Sequence, residues 1–182
     1  YRQIGLPAAE ASVLNSIANM YDKQKEYSKA IETYGRALTL FPSQASYILR
    51  NRANIQIKIE NAIGAKNDLD EAEKLQPDNA YLFLRQGQLA ILTGEFDRAF
   101  EFFKAALERY PRMNYAFFGI GMAHLHLKHL EPALAAYQQG LDVTDAVNDL
   151  EDALLELEEA QKENLPGAEA AFQLLKGFVP HR

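Results

Sequence analysis

Residues 80–113 read AYLFLRQGQLAILTGEFDRAFEFFKAALERYPRM, and the pattern of this 34-residue block recurs along the chain. Prolines mark the period, because Pro42, Pro77 and Pro111 are separated by 35 and then by 34 residues. Alignment on these prolines gives four blocks, which start at Ala11, Ser46, Ala80 and Asn114. A fixed period of this length is typical of chains built from repeated structural units.

Small and large side chains alternate at fixed positions of each block. The eighth position is small (Ala18, Ala53, Gly87, Gly121) and the twentieth is alanine (Ala30, Ala65, Ala99, Ala133). The twenty-fourth is large and apolar (Tyr34, Leu69, Phe103, Tyr137), and the twenty-seventh is small again (Ala37, Ala72, Ala106, Gly140). Each block has the pattern of two amphipathic helices joined by a short turn, for example 11–24 and 28–40. Because antiparallel helices approach closely only where small residues meet, this alternation predicts stacked helix pairs.

The residues at these positions resemble those of the tetratricopeptide repeat family. In the first block the resemblance is carried by Leu14, Ile17, Ala18, Tyr21, Ala30, Tyr34, Ala37 and Pro42, and it extends over about 11–145. It implies an all-α fold, a right-handed α-solenoid of antiparallel helix pairs, with four repeats at about 11–44, 46–79, 80–113 and 114–145. Departures from the family pattern are Arg52 and Gln86 at a usually apolar seventh position, and Gln56 and His124 at a usually aromatic eleventh.

The C-terminal part has the pattern of two further helices. Residues 144–163 are predicted to form one helix, with an apolar stripe at Val143, Val147, Leu150, Leu154 and Leu157. Pro166 precedes a last helix at about 167–176, with Gly177 as its stop. We interpret 144–177 as a degenerate repeat that caps the array, and predict one solenoid domain over 1–182. The first residue, Tyr1, favours a fragment of a larger protein.

Composition excludes several classes of function. The chain has 182 residues, no Cys and a net charge of −6, so disulfides and thiolate metal sites are absent. An acidic chain without a basic stripe is a poor nucleic-acid binder, and no apolar stretch is long enough for a membrane span. RNA-binding pentatricopeptide repeats remain a remote alternative, against which the 34-residue period and small eighth position argue. The absence of cysteine and of a signal peptide favours a cytoplasmic location.

Catalytic and metal-binding motifs are not found. His124, His126 and His129 lie close together in the sequence, but helical geometry predicts that only His126 and His129 share a face. There is no phosphate-binding glycine loop, nucleophile elbow or zinc-protease motif. We therefore expect no enzyme, no cofactor and no metal.

The resemblance implies that the first helices line a concave groove that binds a protein or peptide. The candidate partner-binding residues are Asn15, Asn19, Tyr47, Arg50, Asn51, Asn54, Lys58, Tyr81, Leu84, Arg85, Gln88, Tyr115, Phe118 and Met122. Asn19, Asn51 and Arg85 match a two-carboxylate clamp by which some family members bind acidic C-terminal peptides of chaperones. Asn15 and Tyr81 replace the two lysines of that clamp, which removes most of its charge-assisted recognition.

Two interpretations of function stay open. The first is a scaffold that binds a peptide or helix in the groove. The second is a structural, oligomerising or regulatory module whose groove is filled by its own C-terminal helices or by a second copy. The apolar end of the groove, which includes Phe118, Met122 and Leu125, is too apolar to stay exposed. We predict that the tethered C-terminal helices cover it.

Overall fold

The computed structural model describes residues 6–40, 42–145 and 150–178. These residues form ten α-helices, which are α1 (Leu6–Lys23), α2 (Tyr27–Leu40), α3 (Ala45–Lys58), α4 (Ala62–Leu75), α5 (Ala80–Leu92), α6 (Phe96–Arg109), α7 (Asn114–His126), α8 (Leu130–Asp142), α9 (Glu151–Lys162) and α10 (Ala168–Lys176). A 3-10 turn, Pro42–Gln44, lies between α2 and α3, and the described ranges contain no strand. The all-α fold predicted from the repeats is confirmed. None of these helices combines the length and apolarity that a membrane crossing requires.

The chain divides into two compact units, Tyr1–Arg85 and Gln86–Arg182. Unit 1 contains α1 to α4 and residues 80–85 of α5, and unit 2 contains residues 86–92 of α5 and helices α6 to α10. Helices pack as sequential pairs, α1 with α2, α3 with α4 and α7 with α8, and neighbouring pairs meet through α2–α3 and α6–α7. The single domain over 1–182 stays a prediction.

The positions that define the repeat form the core of each pair. All sixteen of the alternating small and large positions are buried. In unit 2 the ring of Phe103 lies against both Gly87 and Gly119, so a Cβ at either glycine would come closer than 3.0 Å to it. Gly121 is covered by the ring of Tyr137 in the same way. Glycine is therefore required at these crossings because an aromatic ring occupies the space that a Cβ would take.

The departures from the family pattern in the second repeat share one buried partner, the carboxylate of Asp68. Arg52 donates to Asp68 through Nε at 2.8 Å and Nη2 at 2.5 Å, which is a bidentate ion pair between α3 and α4. Gln56 Nε2 donates to the same carboxylate at 3.1 Å. Asp68 is only 4% exposed, so the two polar residues on α3 compensate the burial of this charge.

A single kind of turn joins the helices of every pair. Lys25, Glu60, Gly94, Lys128 and Asn164 have φ between 57° and 77°, in the left-handed region. At each turn the next residue donates its N–H to the carbonyl five residues back, as in Glu26 to Tyr21 (2.9 Å) and Leu165 to Ala160 (2.8 Å). This is the Schellman motif, which glycine favours. Among these five positions only Gly94 is a glycine, which predicts the turn from the sequence, and the other four carry residues with a Cβ.

We expect Glu60→Gly to raise the free energy of unfolding by about 0.5–1 kcal/mol, because it relieves the left-handed backbone of a residue with a Cβ. Glu60→Ala, which keeps that Cβ, should change stability little. Gly94→Ala should lower stability by about 1 kcal/mol for the converse reason. Urea-induced unfolding of the three variants checks this, and a destabilised Glu60→Gly variant would contradict it.

The C-terminal helices differ from the predicted boundaries. The helix expected from residue 144 begins at Glu151, so that start is wrong, and Val147 lies outside the described residues. Thr144 lies beyond the end of α8 and is non-helical, and its hydroxyl donates to Gly140 O (2.7 Å) and accepts from Asn114 Nδ2 (3.2 Å). The last helix, Ala168–Lys176, is within a residue of its predicted start, and the turn before it repeats the Schellman motif. The pair α9–α10 therefore shares its connecting turn with the four preceding pairs, and its interpretation as a degenerate repeat stays a prediction.

Candidate functional site

Side-chain hydrogen bonds hold the first helices of unit 1 side by side. Asn51 Nδ2 donates to Asn15 Oδ1 (3.0 Å), and Asn15 Nδ2 donates to the hydroxyl of Tyr47 (3.3 Å). Lys58 Nζ forms an ion pair with Asp22 (3.1 Å) about two turns further along both helices. The sequence offsets of 32 to 36 residues have the same sign, so α1 and α3 run parallel. We call the surface formed by α1, α3 and residues 80–85 the first-helix face of unit 1.

Asn19 connects this face to the second helix of its pair. The hydroxyl of Tyr34 on α2 donates to Asn19 Oδ1 at 2.6 Å. Burial raises the pKa of Tyr34 strongly, and the negative charge of Asp22 raises it further. The phenol therefore remains a hydrogen-bond donor at any physiological pH, which fixes the orientation of the Asn19 amide.

The predicted binding residues of unit 1 differ in exposure. Tyr47 and Tyr81 are 45% and 51% exposed, whereas Arg50 (7%) and Leu84 (2%) are buried. Asn15, Asn51, Asn54 and Arg85 are half-buried, and Asn19 and Lys58 are exposed. Leu84 is therefore a core residue, because its apolar side chain is removed from solvent. The remaining residues offer aromatic, amide and cationic groups to a ligand.

The predicted binding residues of unit 2 are mostly covered. Phe118 (2% exposed) and Met122 (7%) lie in one apolar cluster with Leu125, and this cluster also contains Leu150, Ala153, Leu157, Ala168, Ala171 and Leu175 of the C-terminal segment. Leu125 lies directly against Gly167 in the α9–α10 turn. Gln88 is half-buried and Tyr115 is 36% exposed. The apolar residues Phe118, Met122 and Leu125 are thus buried in one cluster with residues of α9 and α10, the helices that we predict to cover them.

Removal of α9 and α10 tests how far they shield the apolar cluster around Phe118 from solvent. Truncation after Asp145 should expose Phe118, Met122 and Leu125, because Leu157 and Leu175 no longer cover their cluster. We expect increased binding of a hydrophobic dye, aggregation, and a loss of several kcal/mol in unfolding free energy, on the order of two buried leucines. A truncated chain that stays soluble, monomeric and equally stable would show that the cluster does not need these helices.

The histidines of unit 2 pack as aromatic side chains. His126 stacks on Phe96 with 4.5 Å between ring centroids, and His124 lies 5.9 Å from His129. The prediction that His126 and His129 share a face is wrong, because His129 lies beyond the end of α7. The Schellman turn instead brings its N–H to His124 O at 2.8 Å. Within the described ranges, no three His, Asp or Glu side chains are placed to hold a metal.

Burial disfavours the protonated form of two of these histidines. Burial lowers the pKa of His124, and the neighbouring His129 lowers it further. Burial also lowers the pKa of His126, partly opposed by Glu163. His124 Nδ1 is buried and has no hydrogen-bond partner among the described residues. A proton on either ring is therefore less favourable in the folded chain than in the unfolded chain.

Stability should fall as the pH decreases below about 6.5, since the unfolded chain binds protons to these imidazoles more readily than the folded chain. The stability that depends on the two neutral imidazoles is fully present above that pH, and it is lost as the pH falls towards their lowered pKa values in the folded chain. Urea unfolding at intervals between about pH 7.5 and 5.5 measures it, above the range in which carboxylates titrate. His124→Gln combined with His126→Gln should flatten the dependence, whereas His129→Gln should have a smaller effect. An unchanged slope in the double variant would contradict the assignment.

The polar residues that hold Arg50 and Arg52 were not found by sequence reasoning. Arg50 Nη1 donates to Ser46 Oγ (3.2 Å) and to Gln76 Oε1 (3.3 Å), and Arg52 pairs with Asp68. These partners occur in one repeat only, so periodicity gives no signal for them. Arg52 at a usually apolar position was the one available sign that a buried acid had to lie nearby.

Comparison with known proteins defines the family. The sequence profile described as tetratricopeptide repeat matches residues 11–44, and a second profile with that description matches 50–114 and 103–146. The chain belongs to the tetratricopeptide repeat family. It is 30% identical over 103 residues to small glutamine-rich tetratricopeptide repeat-containing protein 2 of Mycosarcoma maydis. That match covers 57% of this chain and 29% of the relative, so the chain spans less than a third of the curated relative's length.

Solved structures share the fold. A thermophilic tetratricopeptide repeat protein of Thermus thermophilus matches with a TM-score of 0.69 and 15% identity, covering 91% of this chain and 97% of that one. The second tetratricopeptide repeat domain of human RPAP3, solved in complex with the HSP70 peptide SGPTIEEVD, matches with a TM-score of 0.56 and 25% identity. That match covers 64% of this chain and 97% of the domain. The helical-repeat architecture predicted from the sequence is confirmed.

Proposed function

We propose that this chain is a protein–protein interaction scaffold that binds a polypeptide segment on the first-helix face of unit 1. The observation that carries the proposal is the combination of exposed and fixed groups on that face. Tyr47 and Tyr81 are half exposed, and the Asn15–Asn51 pair orients the hydroxyl of Tyr47. Tyrosines with a fixed polar end are favourable for recognition because they bury a large area at little entropic cost.

The chemistry of this face suits an extended peptide. The side-chain amides of Asn51 and Asn54 provide donors and acceptors that match a peptide backbone. Peptide binding by the structurally similar domain of human RPAP3 supports this mode for the fold. The missing clamp lysines at Asn15 and Tyr81 argue against the chaperone-tail ligand. Asn15 is also already engaged by Asn51 and Tyr47.

A structural role for unit 2 is the second candidate. It is favoured by the burial of Phe118, Met122 and Leu125 in one cluster with α9 and α10. A surface that is covered by its own chain is not available to an external helix. We therefore propose that external partners bind unit 1 and that the C-terminal helix pair stabilises unit 2. The overall role that we propose is a cytoplasmic, non-enzymatic adaptor.

Peptides selected from a displayed random library on the full chain test the binding face. We expect Tyr47→Ala and Tyr81→Ala each to weaken the selected peptides by about tenfold, since each removes a central aromatic contact. Tyr110→Ala is the matched control, because Tyr110 is also 45% exposed but lies at the end of α6. Peptides that bind all three variants equally well would contradict the proposed face.

A further inference from the structure

Helix α1 carries an apolar stripe that faces solvent. Val13, Ile17 and Met20 are 56%, 36% and 59% exposed, and their spacing places them on one side of the helix. Residues 11–21 contain no charged residue, so the surface around this α1 stripe is neutral. The exposed side of α6, by contrast, is charged, with Asp97, Arg98, Glu101, Lys104 and Glu108. The α1 stripe therefore has the composition of a contact surface rather than that of a solvated helix face.

The positions of the α1 stripe are buried in the later repeats. Val13 and Met20 occupy the third and tenth positions of the first block. The same positions of the second and fourth blocks are 0% or 1% exposed, and they are Ile48, Ile55, Ala116 and Ala123. Ile48 and Ile55 lie in one apolar cluster with Tyr34 and its neighbours on α2. The α1 stripe is thus one more copy of a helix-packing surface, and within residues 6–40, 42–145 and 150–178 it remains exposed.

The order of residues along the stripe matches a second copy of α1. Val13 lies four residues before Ile17, and Met20 lies three residues after it. Two α1 helices packed antiparallel about a two-fold axis near Ile17 would set Val13 of each copy opposite Met20 of the other. The two Ile17 side chains would then meet at the axis, so one self-complementary contact would cover both stripes. Ser12 and Ser16 beside the stripe are exposed and small, which permits close approach of the helices.

The charges near the ends of α1 favour the antiparallel arrangement. Glu10 is exposed near one end, and Lys23 and Lys25 are exposed at the other. Antiparallel packing brings the acidic end of one copy to the basic end of the other, whereas parallel packing would bring like charges together. The remaining charge nearby, Asp22, is already paired with Lys58. Because the chain has a net charge of −6, a neutral stripe with complementary ends is a favourable place for two copies to meet.

We propose that the α1 stripe is a homodimer interface, in which two copies of this chain pack their α1 helices antiparallel across Val13, Ile17 and Met20. The inference goes beyond the proposed peptide binding, because it uses the side of α1 opposite to Asn15, which bonds to α3. The contact is one helix wide and smaller than a standard interface. We therefore expect a dissociation constant on the order of 10–100 μM.

Sedimentation equilibrium of the full chain between about 5 and 500 μM measures the association. Wild type should pass from monomer to dimer over this range. Ile17→Glu and Met20→Glu should each weaken association by about tenfold or more, because each buries an unpaired carboxylate in the contact. Ile63→Glu is the matched control, since Ile63 is 78% exposed on α4 and should tolerate the charge. All three variants should keep the unfolding midpoint of the wild-type monomer, because the replaced side chains are exposed.

Two results of this measurement would overturn the proposal. The first is a wild-type chain that stays monomeric over the whole range, which would leave the stripe to a helix of another polypeptide. The second is a dimer that Ile17→Glu and Met20→Glu weaken no more than Ile63→Glu does. Tyr47→Ala should leave the dimer unchanged. Peptide binding that depends on Tyr47 in a strictly monomeric chain would overturn the dimer and leave the proposed function standing, and a dimer without such peptides would do the reverse.

Complementary charges test the antiparallel pairing. Val13→Lys mixed with Met20→Glu should associate at least about tenfold more tightly than either variant alone, because the new charges lie opposite each other. Met20→Lys mixed with Met20→Glu should not regain association, since antiparallel packing keeps these two positions apart. The opposite outcome would overturn the antiparallel arrangement. The chain has no cysteine, so Ile17→Cys should form a disulfide-linked dimer on mild oxidation, and an equal yield with Ile63→Cys would contradict the contact.

Discussion

Close approach of paired helices is the constraint on which the rest of the structure depends. Each crossing places a small residue of one helix under a large side chain of its neighbour, as Gly121 lies under Tyr137 and Gly140 under Phe118. A larger residue at either glycine would meet an aromatic ring and force the helices apart. This close packing brings first helices near enough for Asn15 and Asn51 to bond directly, and so it determines the geometry of the first-helix face.

The two units use their first helices in different ways. In unit 1 the first helices carry amides, tyrosines and cations, and polar bonds between α1 and α3 keep these groups at the surface. In unit 2 the first helix α7 carries Phe118, Met122 and Leu125, which only burial can stabilise. The chain supplies that burial from its own C-terminal pair. One repeated architecture therefore accommodates a binding surface and an internal packing surface, and the side chains of the first helices decide between them.

Features that recur with the repeat could be predicted from the sequence, and features that occur once could not. The helix pairs, the buried small positions and the large residues between them follow from periodicity, because the same packing problem is solved four times. Arg50, held by Ser46 and Gln76, and Asp68, held by Arg52 and Gln56, depend on the reach of individual polar side chains. The same is true of Thr144, whose hydroxyl bonds to both Gly140 and Asn114 just beyond the end of α8.

The recurrent Schellman turn also bears on how the chain folds. Each turn reverses the chain within a few residues, so the two helices of a hairpin such as α1–α2 contact each other across a short loop. The conformational entropy lost in closing that loop is therefore small. A hairpin can therefore form as soon as its own residues are available, before the rest of the array exists. During synthesis the α1–α2 pair would leave the ribosome complete while α9 and α10 were still untranslated. The apolar cluster around Phe118 would stay uncovered until α9 and α10 emerged.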